Sequence, residues 1–539
     1  MKITFLGATH QVTGSKTLIE WKTNRFFLVD CGMEQGINTL VQYDIPVPAS
    51  SIEYVLLTHA HIDHSGLLPL LVKNGFKGKI YSTAETMNLC SIMLSDSASI
   101  QESDAATQSK KNLRAGLPVV EPLYTAADVQ NTMKLFRPCN YNTCIQIDEG
   151  LTVRFTDAGH LLGSSYIECF IEDNGISRKF VFSGDVGNLN QPIIRDPGVI
   201  DSADFLMIES TYGTRYHDTT VDPVPKLSKV LSETFERGGT VVIPAFAVGR
   251  TQELLYFFRR IKGEKLIDSK WLDFPVYVDS PLANEATAVF LQCNTECLDD
   301  NAQAIMRSGE NPIWFDGLNT VVSSEESKAL NTNSEPKVII ASGGMCEGGR
   351  IRHHLKHHLW NAADTVLFTG YQAAGTLGRI IYDGARHVKL FGEEIEVHAQ
   401  ICLLEGVSGH GDRGVLLRLI DSFNDKPGTV FVNHGDDEVC EAFANDISEK
   451  YQIQAFAPYS GSVYDLEKKE WIRLTGPEYR AGKSTENNKD RKGKDDKHKK
   501  LYNDLLNSVR ELEEYVVSLN EHSNSELKKL TEKIRSIYS

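Results

Sequence analysis

Thr58-His59-Ala60-His61-Ile62-Asp63-His64-Ser65-Gly66 follows directly on Tyr54-Val55-Leu56-Leu57, an apolar run that reads as a strand. In extended chain, residues two apart point to the same side, so His59 and His61 can meet one metal ion. The pattern then predicts a turn into a helix starting near Ser65, and that turn lets Asp63 and His64 face a second ion beside the first. Imidazole and carboxylate donors at this density suit zinc, and manganese or iron accept the same set. A polar loop rich in histidine by chance does not account for three histidines and an aspartate between positions 59 and 64, at a strand end.

Separate segments supply further donors. Asp157-Ala158-Gly159-His160 follows the strand candidate Thr152-Val153-Arg154-Phe155, and Phe180-Val181-Phe182 runs into Ser183-Gly184-Asp185. His160 can complete the first site, and the Asp185 carboxylate can bridge both ions with one oxygen on each. Asp30, in Val29-Asp30-Cys31-Gly32, also closes a strand, Phe26-Phe27-Leu28-Val29. It is expected to hydrogen-bond a ligand or the bound water without touching metal.

The chain around these motifs has 539 residues, too many for one ordinary core. Hydrophobic residues at 41% and charged residues at 24% describe a soluble globular chain. The longest apolar stretch, Val241 to Val248, falls short of a membrane span, and the N-terminus lacks the apolar region of a signal peptide. A cytoplasmic protein with no membrane partner is expected. The ten cysteines form no C-x-x-C pair, which points to small buried side chains and away from a zinc ribbon or disulfide framework. A net charge of −16 argues against coating nucleic acid by bulk charge, but not against a local grip on a few phosphates.

From Lys2 to about Glu209 the pattern is of short strands separated by Gly and Asp turns, with Gly66 to Lys73 and Thr86 to Ser97 reading as helices. A second α/β pattern follows Tyr212: strands at Thr240 to Pro244, Val276 to Val278, Lys337 to Ile340 and Thr365 to Phe368, and an amphipathic helix at Gln252 to Ile261. Such alternation implies a parallel sheet covered by helices. Gly476 to Lys500 is dense in Lys, Asp, Glu and Asn and reads as a charged linker. Beyond it, Leu505, Val509, Leu512, Val516 and Leu519, then Leu527, Leu530, Ile534 and Ile537, mark two short helices. They read equally as a hairpin or coiled coil that makes a homodimer and as a tail lying on its own core.

Asp30, His59-x-His61-x-Asp63-His64, His160 and Asp185 resemble, in order and context, the metallo-β-lactamase superfamily signature. The segments Glu209-Ser210-Thr211-Tyr212-Gly213, Pro244 to Glu253, Asp279-Ser280-Pro281-Leu282-Ala283 and Ala341-Ser342-Gly343-Gly344-Met345 are similar to the β-CASP nucleases. So are Gly370 to Arg379, Ser408-Gly409-His410 and Val432-Asn433-His434-Gly435. The resemblance spans about Met1 to Thr475 and comes nearest to prokaryotic relatives of the endonuclease subunit of the pre-mRNA cleavage and polyadenylation factor. It implies an α/β fold: an αββα metallo-β-lactamase sandwich with an inserted α/β β-CASP domain and a short helical C-terminal tail. The chain would leave the sandwich near Glu209 and return near Glu393. The expected units are then the first part of the sandwich at 1–209, the β-CASP domain at 210–392, the return segment at 393–475, the linker at 476–500 and the tail at 501–539.

The resemblance also implies roles. Glu209 stands at the motif A acid, His410 at the motif B histidine and His434 at the motif C histidine, where it would ligate the second ion with Asp63 and His64. Gly409 replaces the alanine usual before motif B, and His398 competes for that role. Histidine at motif C favours single-stranded RNA over DNA as substrate. The implied enzyme is a two-zinc ribonuclease in which a metal-bridging hydroxide, held with the help of Asp63, attacks phosphorus. His410, oriented by Glu209, would act as general acid. Ser342, Gly343 and Gly344, before the basic stretch Arg350 to His358, together with Arg379, are candidates to grip phosphate. That stretch reads equally as a solvated helix, and Arg250 and Arg379 as ion-pair partners. Rival readings are a DNA-processing nuclease of the same fold, a small-ester metallo-hydrolase and a non-catalytic scaffold. The last fits poorly, since every expected ligand position is filled. Entry of a nucleic acid into the cleft between domains predicts hinge motion at the two cassette connections.

Overall fold

The apolar runs before Glu209 pair into two facing sheets, each completed by strands from far along the chain. The computed structural model describes residues 1–36, 38–217 and 222–480. The charged segment beyond 480 and the tail helices expected at 501–539 lie outside the described residues. The first sheet has eight strands, in the order Glu470–Arg473, Val463–Asp465, Lys2–Gly7, Lys16–Lys22, Arg25–Val29, Ile52–Leu56, Lys79–Thr83 and Phe136–Cys139. The second has seven, in the order Gln454–Phe456, Thr429–Asn433, Phe205–Glu209, Ile176–Phe182, Ser165–Asp173, Leu151–Asp157 and Ile145–Asp148. Phe5, Trp21, Phe27, Phe155, Phe180 and Phe431 fill the space between them.

Helices cover both outer faces. The helix Ala84–Arg114 lies on the first sheet, and Arg413–Ser422 and Asp437–Tyr451 pack on the second through Leu416, Ile420, Phe443 and Ile447. Ala84–Arg114 runs well past the expected Ser97. Its buried stripe thins to Ala98 and Ala105 there, so the helical period fades from the sequence. Residues of good intrinsic propensity (Ala, Gln, Lys) continue the helix.

Glu209 pairs with Asn433 in parallel register, so the long intervening segment is spliced between two neighbouring strands of one sheet. It forms its own six-stranded parallel sheet, in the order Leu318–Thr320, Val276–Asp279, Val338–Ser342, Val241–Ala245, Thr365–Phe368 and Gln400–Leu403. Every residue of Val241–Ala245 is buried, as a central strand covered on both faces requires. Near Glu393, the expected return, the inserted sheet has not yet ended. A hairpin of His387–Leu390 and Glu393–Glu396 comes first, and Gln400–Leu403 still pairs with Thr365–Phe368. The chain rejoins the sandwich only beyond Leu403, and by Gly411 its N–H donates to the Val186 carbonyl at 2.7 Å. A four-residue strand, Gln400–Leu403, is too short to show in periodicity. No described helix is long and apolar enough to cross a membrane.

Candidate metal centre

The histidine motif sits where strand Ile52–Leu56 ends. Helix Ile62–Ser65 begins three residues before the expected start, so Asp63 and His64 are carried on its turn and do not precede it. Ser65 Oγ bonds the carbonyls of Ala60 and His61 at 2.9 and 3.0 Å, which closes the turn back on the histidine strand. The loop after strand Arg25–Val29 braces the same turn: Cys31 N–H donates to His64 O at 2.8 Å and Met33 N–H to Ile62 O at 3.0 Å.

Two donor groups result. His59, His61, His160 and Asp185 form one, and Asp63, His64 and His434 the other; within each, the donor atoms lie within 4.8 Å of one another. His59 Nε2 is 3.1 Å and His160 Nε2 3.2 Å from His61 Nδ1, while the Nε2 atoms of His64 and His434 are 3.1 Å apart. A tetrahedron of ligands at zinc–nitrogen distance has an edge of about 3.3 Å, so these spacings fit a cation at the centre of each group. The Asp185 carboxylate lies between them. Its Oδ2 is 3.5 Å from His59 and from His160, and its Oδ1 is 3.2 Å from His64 and 3.5 Å from His434. Oδ1 is buried with no hydrogen-bond partner, an orphaned acceptor that a cation would satisfy.

At the first group the electrostatics agree with that fit. Burial, reinforced by neighbouring imidazoles, holds His59 and His160 well below the ordinary histidine value, so their lone pairs are free. Burial alone would raise the Asp185 carboxyl, but His434, His64, His59 and His410 outweigh it and hold it well below the usual range.

Surrounding groups fix the rings. Asp30 Oδ2 takes the His64 Nδ1 proton at 2.7 Å, leaving Nε2 to face the site, and Asp30 Oδ1 accepts from the Thr58 amide at 2.9 Å. The Gly409 carbonyl holds His160 Nδ1 at 2.9 Å. His434 has a left-handed backbone (φ 52°), held because its N–H donates to Ala8 O at 2.8 Å while its carbonyl accepts from Ser210 N–H at 3.1 Å. Thr58 and Thr211 escaped the sequence reading. Thr58 Oγ1 reaches Asp30 and the His59 Nδ1, and Thr211 Oγ1 lies 3.3 Å from His434 Nδ1. Both sit beside quoted motif residues, which is the signal that would have found them.

His410 Nδ1 lies 3.2 Å from Glu209 Oε1 and 3.9 Å from Asp185 Oδ2. Glu209 is fixed by the amides of Val186 at 2.6 Å and Thr211 at 3.2 Å. Burial would lower the His410 pKa, yet Glu209 and Asp185 push it up to about 9. His398 is exposed and paired with Glu396, outside this constellation.

The phosphate candidates lie on the inserted domain. Ser342 ends a strand of the inserted sheet, the Gly343 N–H is taken by Ala245 O at 3.2 Å, and Arg379 pairs with Asp383. Arg250 pairs with Glu253. In the basic helix Ile351–His358, His354 is buried on Asp279 and His358 on Asp364, so half of that histidine run is structural.

Three family models match consecutive parts of the chain: the metallo-β-lactamase superfamily at 13–205, the β-CASP domain at 251–381 and the Zn-dependent metallo-hydrolase RNA specificity domain at 394–458. Ribonuclease TTHA0252 of Thermus thermophilus is 34% identical over 86% of this chain and 100% of its own length. The chain belongs to the β-CASP branch of the metallo-β-lactamase superfamily. This β-CASP hydrolase is also 31% identical to the RNase J-like protein of Methanocaldococcus jannaschii, over 86% of this chain and 99% of that one. Transcription termination factor FttA of Methanosarcina mazei is 31% identical over 85% of this chain and 70% of its own. The RNA specificity match contains His410 and His434, the two site residues that follow the inserted sheet.

Proposed function

We propose that this chain is a zinc-dependent ribonuclease that hydrolyses phosphodiester bonds of single-stranded RNA in the cytoplasm. The observation that carries the reading is the Asp185 carboxylate, one oxygen toward each histidine group, with the His410–Glu209 pair beside it. In the proposed enzyme His59, His61 and His160 would hold one cation and Asp63, His64 and His434 the other, with Asp185 serving both groups. Bound there, the two cations would neutralise phosphate oxygens and supply hydroxide at neutral pH. Glu209 keeps the His410 ring oriented and protonated through Nδ1, so Nε2–H is the proton given to the departing ribose oxygen. RNA is favoured because two relatives bear ribonuclease names and the matched domain is described by its RNA specificity. The proposed domain order is sandwich, β-CASP insertion and return segment, followed by the charged linker and the tail with its potential for self-association.

The test is incubation of zinc-loaded protein with labelled single-stranded RNA and DNA of the same sequence, beside a His59→Ala, Asp63→Ala double variant. RNA cleavage lost in the variant is expected. Cleavage of DNA alone, or undiminished cleavage by the variant, would overturn the reading.

A further inference from the structure

The C-terminal ends of the parallel strands in the inserted sheet carry nearly every motif of that domain, and in such sheets this edge is where ligands bind. Two large aromatics stand there exposed. Phe246, directly after strand Val241–Ala245, is 56% exposed, and Tyr371, just after strand Thr365–Phe368, is 53% exposed. These strands are neighbours in the sheet, so the two residues leave adjacent strand ends.

Neither side chain is a loose surface residue. The Phe246 carbonyl accepts from both Oγ1 and N–H of Thr251, at 2.7 and 3.3 Å. Its Cδ2, Cε2 and Cζ carbons lie beside Gly344, where a Cβ would come within 3.2–3.4 Å of them. Gln372 Nε2 then bonds the carbonyls of Gly344 and Tyr371, at 3.0 and 3.2 Å, tying the Tyr371 segment to the glycine loop that lies beside the Phe246 ring. The patch adjoins the metal centre. Gly249, three residues after Phe246, packs toward Leu161, the neighbour of His160. By contrast, exposed Phe391 is already stacked on His353.

Rigid, exposed aromatic faces beside a phosphodiester-cleaving centre suit one ligand chemistry, the π-face of an unpaired nucleobase. We propose that Phe246 and Tyr371 are stacking platforms for unpaired bases next to the scissile phosphate. Bases inside a duplex are stacked on one another and cannot reach these faces, so the platforms select single strands. The inference rests on the ribonuclease reading above and names how that site reads its substrate.

Stacking of one base on an aromatic side chain corresponds to a loss of about tenfold in affinity on truncation to alanine. Phe246→Ala and Tyr371→Ala are therefore expected to raise KM for a short single-stranded RNA by about tenfold each, with kcat nearly unchanged. Phe246→Tyr and Tyr371→Phe keep the ring and are expected to keep KM. An oligonucleotide series with one abasic position supplies the second arm. Wild type should lose the same factor at one position beside the cleavage site, and the alanine variant should be indifferent to the missing base there. Unchanged KM in both alanine variants, or abasic and alanine losses that multiply, overturns the inference while leaving RNA cleavage in place. A wild-type protein that cleaves no RNA removes the ribonuclease reading and the inference with it. Zinc content and melting temperature of each variant separate a lost platform from a lost fold.

Discussion

His410 owes its raised pKa to three carboxylates, Glu209, Asp185 and, least, Asp63. Glu209 contributes most and Asp185 less, against a burial effect that works the other way. In the metal-free protein its ring is expected to titrate near pH 9 by NMR. A raised value means the proton is held through neutral pH and lost only as pH rises through 9. Glu209→Gln removes the main raising charge and should bring the titration down toward the ordinary histidine range; an unmoved titration would show that Glu209 does not hold the proton. Loss of a positioned general acid costs about 10²- to 10⁴-fold in rate. His410→Ala should lower kcat on RNA by a factor in that range with KM little changed, and a variant at full rate would exclude the role.

The helix turn Ile62–Ser65 is held by backbone, not by packing alone. Ser15 N–H donates to Asp63 O at 2.8 Å, and a Cβ on Gly32 would fall 1.6 Å from that same oxygen. Gly32→Ala must therefore push the turn, with Asp63 and His64, off the other ligands. The expected outcome is native-like circular dichroism with reduced zinc content by elemental analysis; two equivalents bound at wild-type affinity would contradict it. In the inserted domain, Asp279 ends a strand and joins two helices to it. Its buried carboxylate takes bonds from Ser327 at 2.5 Å and from His354 and Arg350 at 2.6 Å. Burial would raise this carboxyl, and those three partners hold it below the ordinary value. Its stabilising effect is thus full at neutral pH and fades as pH falls through that depressed value. Asp279→Ala strands a buried histidine and an arginine, a loss of about 3–5 kcal/mol, readable as a clear fall in melting temperature. An unchanged melt would show that the histidine run of that helix does not depend on Asp279.

Across the molecule, the inserted domain meets the sandwich through a shared apolar cluster, in which Leu161, Ile193 and Ile194 join Val248, Phe290 and Leu298, with polar contacts beside it. Ile194 bridges Leu298, Asp299 N–H donates to Ile193 O at 2.9 Å, and Asn294 N–H to Glu85 at 3.2 Å. On the proposed ribonuclease reading, RNA entering between the two would part them by motion at the chain connections near Glu209 and beyond Leu403. In solution scattering the RNA-free protein is expected to have a larger radius of gyration than the oligonucleotide-bound protein. Asp299→Ala, which removes the carboxylate that accepts from Ile193 N–H at 3.1 Å, should enlarge the RNA-free form further. Identical radii in all three samples would count against opening.

Sequence alone was enough to nominate the candidate metal donors of this protein. Metal donors are rare residue types at strict spacing, and His59, His61, Asp63, His64, His160 and Asp185 each follow an apolar run, so their types and strand-end positions survive without coordinates. The central buried strands were equally legible, because a strand covered on both faces must be apolar throughout. Tertiary structure decided what depends on distant neighbours. Parallel pairing of Phe205–Glu209 with Thr429–Asn433 makes Glu209 and His434 neighbours despite the long insertion between them. It also fixed which way the Asp185 oxygens face, that His354 and His358 are structural, and that Gln400–Leu403 stays in the inserted sheet. The exposed rings of Phe246 and Tyr371 belong to the same class. An apolar residue in a motif reads as core until the fold leaves its face uncovered, because burial is set by what packs against a residue and not by the residue itself.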